Sequence, residues 1–288
     1  MPITFDRSIC RDLNETISRE WLVTNGVGGY AAGTIAGVLT RMQHGLLVTS
    51  QKDAASPQLL SAKIDEEVVF DERKYYLGTN EYRDGTLNPA GFGHLEAFRL
   101  EEGFPVFTYH LGGIDGIMLE KRIWMPRGYD TTYIQYRLLS TSDFRNATEQ
   151  VGRTSWRRNS EELSSEEFVR NNGFPAYPEA AQRMLSLTLL PLSAYRPHSQ
   201  PQYGNNDWHF QVQVHGNSQR QSSSEQDDAG NEYGLSLPLP KGVIGCTIRA
   251  WDGATPYSIF AVGHPDSQLS FIPTGVWYWH FLRRHDQA

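Results

Sequence analysis

Apolar and polar residues alternate with period two along most of the chain, the signature of strands with one buried face. Segments 44–50 (HGLLVTS), 64–70 (IDEEVVF), 95–100 (LEAFRL), 104–109 (FPVFTY) and 117–125 (IMLEKRIWM) read as strands. So do 131–139 (TTYIQYRLL), 184–192 (MLSLTLLPL), 208–214 (WHFQVQV), 243–251 (VIGCTIRAW) and 257–262 (YSIFAV). Turn signals divide them, among them Arg83-Asp84-Gly85, Asn88-Pro89 and Gly112-Gly113. Short strands separated by Gly and Pro turns predict an all-β protein, a sandwich rather than a doubly wound α/β sheet. No internal repeat or mid-chain linker interrupts the run, so the pattern predicts one β-domain over residues 1–275. Two stretches break the rhythm. Residues 141–183 are polar and charged, an apparent insertion with room for a short surface helix, and residues 215–232 have loop composition. The segment 276–288 begins VWYWHFLRRH and reads as a linker or the start of a helix.

Composition narrows the function classes. The 288 residues carry 26 Lys plus Arg against 33 Asp plus Glu, a net charge of −7 that disfavours a nucleic-acid backbone as partner. Seven Trp, 14 Tyr and 13 Phe supply ample apolar area to offset chain entropy, so the chain is expected to fold. Cys10 and Cys246 form no CxxC pair and read as inert thiols of a reducing compartment. No signal-peptide core and no apolar run of membrane-span length is present, so the expectation is cytoplasmic, without a membrane partner. The sequons at Asn14 and Asn146 therefore carry little weight.

Candidate chemistry is sparse. Residues 25–31 (NGVGGYA) contain G-x-G-x-x-A, but Gly33 and Gly37 weaken any following helix, and the first acidic residue downstream is Asp53. A dinucleotide site needs that helix, so the glycines read as a tight turn and no cofactor is expected. Arg41 and His44 lie where a turn enters the apolar strand at Gly45. They suit either hydrogen bonding to ligand hydroxyls or an internal ion pair. The nine His form no metal-binding spacing, and no metal is expected. The carboxylate runs Asp65-Glu66-Glu67, Glu101-Glu102 and Asp227-Asp228 read as solvated turns. Trp124, Trp208 and Trp251 fall in strand patterns and read as core. Trp277 and Trp279 read as a sugar-stacking or docking surface.

The segment Arg19-Glu20-Trp21-Leu22-Val23-Thr24-Asn25-Gly26-Val27-Gly28-Gly29-Tyr30, followed by Thr40-Arg41 and His44-Gly45-Leu46-Leu47, resembles the N-G-x-G-G-Y … T-R-x-x-H-G-L-L signature of bacterial and archaeal glycogen debranching enzymes (amylo-α-1,6-glucosidases), in their N-terminal domain. Similarity continues at Asn80-Glu81-Tyr82, Phe107-Thr108-Tyr109, Glu120-Lys121, Asp130-Thr131-Thr132, Leu187–Leu192 and Tyr195-Arg196. The chain departs from the family at Met42-Gln43, where Arg-Tyr is usual, and at Arg196-Pro197-His198, which lacks a carboxylate.

The resemblance implies a large antiparallel two-sheet supersandwich, similar to galactose mutarotase and to glucoamylase N-terminal domains. In that family an (α/α)6 barrel follows and supplies the acid and base carboxylates. The implied role is a non-catalytic domain packing against such a helical catalytic domain, in cis or in trans, and contributing to α-glucan binding. Substrate-binding residues implied for this chain are Asn25, Tyr30, Arg41 and His44, with no catalytic residue. Two other readings stay open: a free-standing α-glucan-binding module, and a mutarotase-like sugar epimerase with His44 or His110 as acid.

Overall fold

The computed structural model describes residues 3–50, 56–82, 84–113, 116–139, 185–201, 210–216, 239–263 and 269–270. The stretch 141–183, most of the loop at 215–232 and the segment 276–288 lie outside the described residues, as do Trp208, Trp277, Trp279 and the pair Asp227-Asp228. The described chain falls into two compact units, one up to Pro201 and the other from Phe210 onward.

The first unit opens with β1 (Thr4–Phe5), α1 (Arg7–Cys10) and α2 (Leu13–Ile17), followed by β2 (Glu20–Thr24), β3 (Tyr30–Thr34), β4 (Gly45–Thr49) and β5 (Gln58–Phe70). Next come β6 (Arg73–Tyr76), β7 (Thr79–Glu81), β8 (Leu87–Ala90) and a 3-10 turn at Gly91–His94. It continues through β9 (Leu95–Glu101), β10 (Phe104–Leu111), β11 (Ile117–Trp124), β12 (Tyr133–Leu139) and β13 (Leu185–Pro197). The two short helices start at aspartates: Asp6 accepts from the Ser8 amide, and Asp12 from the amides of Asn14 and Glu15. These bonds satisfy amides that a helix start leaves without intrahelical partners.

All strand pairing in this unit is antiparallel. One sheet runs β1-β9-β10-β11-β12; the other runs β13-β5-β4-β3-β2, with β6 also on β5. The 13-residue strands β5 and β13 pair along their whole length, far beyond the 7 and 9 residues that alternation marks. The extra residues pair although their side chains do not alternate.

The two sheets share one core. In β2 the burial alternates strictly, with Trp21 and Val23 turned inward and Glu20, Leu22 and Thr24 outward. Trp21 meets Phe107 of the opposite sheet edge-on, ring centres 6.2 Å apart, and its indole donates to the Thr34 carbonyl at 3.2 Å. Phe98, Phe107 and Tyr109 continue the aromatic seam, and Val68, Leu111, Leu119 and Ile123 close it. Each large ring so buried removes 150–250 Å² from water, which makes this seam the main source of the unit's stability.

Asp65 and Glu66 do not sit in a solvated turn. Both lie mid-strand in β5 and are buried. Each survives there because a cation meets it: Lys63 reaches Asp65 at 2.7 Å, and Lys121 of β11 pairs with Glu66 from the facing sheet. Asn80 donates to the second Asp65 oxygen, and the Tyr136 hydroxyl donates to Glu66 at 2.6 Å. Buried charge of this kind persists only when paired and hydrogen-bonded. Glu102 lies in the turn between β9 and β10, whereas Glu101 ends β9 and is held by Arg99 and Arg122 rather than left to solvent. Trp251 lies beyond the end of β15 and is 40% exposed, so the strand pattern overestimates its burial.

The second unit contains β14 (Gln211–His215), β15 (Val243–Arg249) and β16 (Tyr257–Val262) in one antiparallel sheet. His215 is buried, with Nε2 at 2.7 Å from the Thr247 hydroxyl. Gly245 leaves room for Phe260, whose ring a Cβ there would meet at 2.4 Å.

Candidate functional site: the hairpin turn and the rim at residues 40–44

The glycine-rich stretch is the hairpin between β2 and β3. Gly26 and Gly28 have φ of +75° and +100°, a region that side chains disfavour. Asn25 organises this turn. Its Oδ1 accepts from the amides of Val27 (3.0 Å) and Gly29 (2.9 Å), and its Nδ2 donates to Asp130 Oδ1 at 2.7 Å and to the Tyr129 carbonyl at 3.3 Å. The Asn25 backbone closes the loop further, its amide donating to the Gly29 carbonyl and its carbonyl accepting from Gly128. Gly29 must lack a side chain, since a Cβ there would lie 2.3 Å from Asp130 Oδ1 and 2.4 Å from Asn25 Nδ2. Asn25 itself has no exposed surface.

Tyr30, Arg41 and His44 come together at the turn that precedes β4. His44 is buried, and its Nδ1 accepts from the amides of Thr40 (3.1 Å) and Arg41 (3.3 Å). Its Nε2 faces Glu20 Oε1 at 3.4 Å. Accepting at Nδ1 places the ring proton on Nε2, directed at that carboxylate. Arg41 Nε donates to the same Glu20 oxygen, while 57% of its side chain stays exposed. The Tyr30 hydroxyl donates to the Gln43 carbonyl at 3.0 Å and lies 2.8 Å from His198 Nδ1. Partial burial pushes the Tyr30 hydroxyl above its ordinary value, and Arg196 opposes the shift. Burial holds His198 below the ordinary histidine value, with the Arg196 charge adding to it.

Arg196 ties this rim to the end of β13. Its Nη2 donates to the Met42 carbonyl at 2.6 Å, and its Nη1 reaches the carbonyls of Pro197, His198 and Gln200. The turn's carbonyls at Arg41, Met42 and Gln43 thus accept, in order, from the His44 amide, the Arg196 guanidinium and the Tyr30 hydroxyl. The result is a rigid polar rim on which Arg41 is the nominated side chain most open to solvent. Asn25 belongs to the neighbouring hairpin turn and joins Asp130 instead. Glu20, Arg196 and His198 were not singled out from sequence. Glu20 and Arg196 stand within motifs that mark the family resemblance, but nothing in their spacing reveals their shared turn.

A cavity of about 50 Å³ lies between the two sheets of this unit, lined by Trp21, Lys63, Glu66, Phe107, Tyr109 and Lys121, among others. Among the described residues Glu66 is the one carboxylate on its wall; glycoside hydrolysis uses two acids facing across a cleft. Burial and the nearby Glu66 charge raise the Tyr109 and Tyr136 hydroxyls well above the ordinary tyrosine value. Among the described residues no group of three or more His, Cys, Asp or Glu side chains is placed to hold a metal ion, and no helix is long and apolar enough to cross a membrane.

Residues 19–151 match the family model described as glycogen debranching enzyme N terminal, a span that contains all four nominated residues. No curated protein and no solved structure matches the chain.

Proposed function

We propose, from the premise that residues 19–151 are a glycogen debranching enzyme N-terminal domain, that this chain contributes a binding wall for α-glucan to a debranching system. Its partner in this reading is a helical catalytic domain, in cis or in trans, that carries the acid and base carboxylates. The observation that carries the proposal is the rim at residues 40–44: a turn immobilised by His44, Tyr30 and Arg196 that holds the Arg41 guanidinium toward solvent.

The roles of the four residues divide by exposure. Arg41 and the partly exposed Tyr30 are the groups that meet sugar: Arg41 donates to hydroxyls, and Tyr30 offers part of its ring. Asn25 and His44 act as positioning residues, since their polar atoms already serve backbone amides and the carboxylates of Asp130 and Glu20. A neutral polyol suits such a site, because Glu20 offsets the Arg41 charge while leaving guanidinium donors free to point outward.

Affinity electrophoresis in glycogen-containing gels tests the reading. The chain is expected to be retarded, and Arg41→Ala to lose most of that retardation. Loss of one charge-assisted hydrogen bond, about 1.5–3 kcal/mol, corresponds to roughly 10–100-fold in affinity. The chain alone is expected to release no glucose from a branched limit dextrin. Unretarded migration of the wild type, or glucose release dependent on this chain, would overturn the proposal.

A further inference from the structure

We infer a second carbohydrate-binding surface, on the outer face of the β9–β12 sheet, whose anchor is the free ring face of Tyr133. The inference rests on the proposed role in α-glucan binding but concerns the opposite sheet from the 40–44 rim.

Strands β11 and β12 pair Trp124 with Tyr133 and Arg122 with Gln135. The alternation that sends Ile123 and Ile134 into the core turns Trp124, Arg122, Tyr133 and Gln135 outward. Trp124 and Tyr133 stack nearly parallel, ring centres 5.3 Å apart and planes 10° apart. Tyr133 is 48% exposed although one of its faces lies on the indole. Stacking therefore fixes the tyrosine ring and leaves its other face toward solvent. A rigid aromatic face matches the C–H face of a pyranose and loses little side-chain entropy on binding.

The charges beside this platform favour a neutral ligand. Arg99 pairs with Glu101 at 2.9 Å and with Glu120 at 2.7 Å, Arg122 pairs with Glu101, and Arg137 lies 3.3 Å from Glu120. Each carboxylate on this ladder is bridged by two arginines, so these charges engage one another rather than standing singly to select an ionic ligand. Gln135, exposed beside Tyr133, supplies both a donor and an acceptor, as a polyol requires. An uncharged α-glucan segment is the ligand class that this combination of a ring face, an amide and a ladder of mutually paired charges recognises.

Isothermal titration of the full chain with maltoheptaose tests the inference. Two sites per chain are expected. Tyr133→Ala should remove one of them or weaken it at least fivefold, Tyr133→Phe should retain it, and Arg41→Ala should affect the other alone. Should Tyr133→Ala lower the melting temperature, Tyr133→Leu repeats the test with an apolar strand residue that has no ring. Binding unchanged by loss of the Tyr133 ring overturns this inference and leaves the 40–44 rim standing. Binding that depends on Tyr133 but not on Arg41 overturns the rim instead. Absence of heat with the wild-type chain refutes both.

Discussion

Replacing Asn25 by Asp tests whether this residue organises the hairpin. The side chains are nearly isosteric, so Oδ1 can still accept from Val27 and Gly29. The atom that donates to Asp130 at 2.7 Å becomes an acceptor. Losing that charge-assisted bond costs about 1.5–3 kcal/mol. A second carboxylate against the first adds repulsion of about 4 kcal/mol at 4 Å for an effective dielectric constant near 20, reduced because Asp130 is exposed. We expect a total of about 3–5 kcal/mol, which for a domain of this size lowers the melting temperature by roughly 6–20 °C. The pair can recover by sharing a proton, which restores a donor between the oxygens. The folded variant then binds more protons than the unfolded chain, so its deficit against wild type should shrink as pH falls from 8 toward 4.5. Thermal melts of both proteins at the two pH values measure it. A deficit below about 1 kcal/mol, or one independent of pH, would refute the assignment of Asn25 to the turn.

Other expectations follow from particular contacts. Trp21→Ala should cost about 3–5 kcal/mol, read by chemical denaturation, because it empties the seam against Phe107. His44→Ala should destabilise by about 1–3 kcal/mol through the stranded amides of Thr40 and Arg41, while His44→Asn, whose carbonyl can accept one of them, should lose less. Burial pushes the thiols up to about 12 for Cys10 and about 11 for Cys246. Neither should react with a disulfide reagent at pH 8 until the chain is unfolded. Burial, aided by the Arg11 charge, also holds His94 below the ordinary value, as burial and Arg196 do for His198. The unfolded chain therefore binds more protons as pH drops through the ordinary histidine range, and stability should decline from pH 7 to 5. His94→Gln combined with His198→Gln should flatten that slope in melts at stepped pH.

Strands β12 and β16 were legible because each has a more buried and a more exposed face in alternation, and β10 by its run of apolar residues, since it is buried on both faces from Pro105 to Tyr109. Strands β2 and β3 were not, although they carry the densest part of the family motif. β2 alternates but over only five residues, and in β3 a glycine disguises the period: Gly33 occupies an inward position because Trp21 covers it, with indole atoms 3.1 Å from where its Cβ would stand. The short helices α1 and α2 went unseen because they are single turns set by Asp6 and Asp12 rather than by an amphipathic period. Burial of Glu66 was invisible because its cation belongs to another strand, Lys121 lying 55 residues away; that of Asp65 was invisible because its partners Lys63 and Asn80 read as ordinary polar residues. At the candidate site the residue types at 41 and 44 were legible, with hydrogen bonding and ion pairing both open. The structure gives Arg41 an ion-pair partner in Glu20, turns the Nε2 of His44 toward the same carboxylate, and buries only His44. What could not be read was the convergence of Arg196 and Tyr30 on one turn, which depends on β13 lying beside β5 across a long sequence gap.

Calorimetric titration of maltoheptaose into the wild-type chain and into Arg41→Ala tests the central claim most directly. Saturable heat with the wild type, diminished in Arg41→Ala at an unchanged melting temperature, is the predicted result. A wild-type trace no different from dilution, or an Arg41→Ala isotherm superimposable on the wild type, would contradict it.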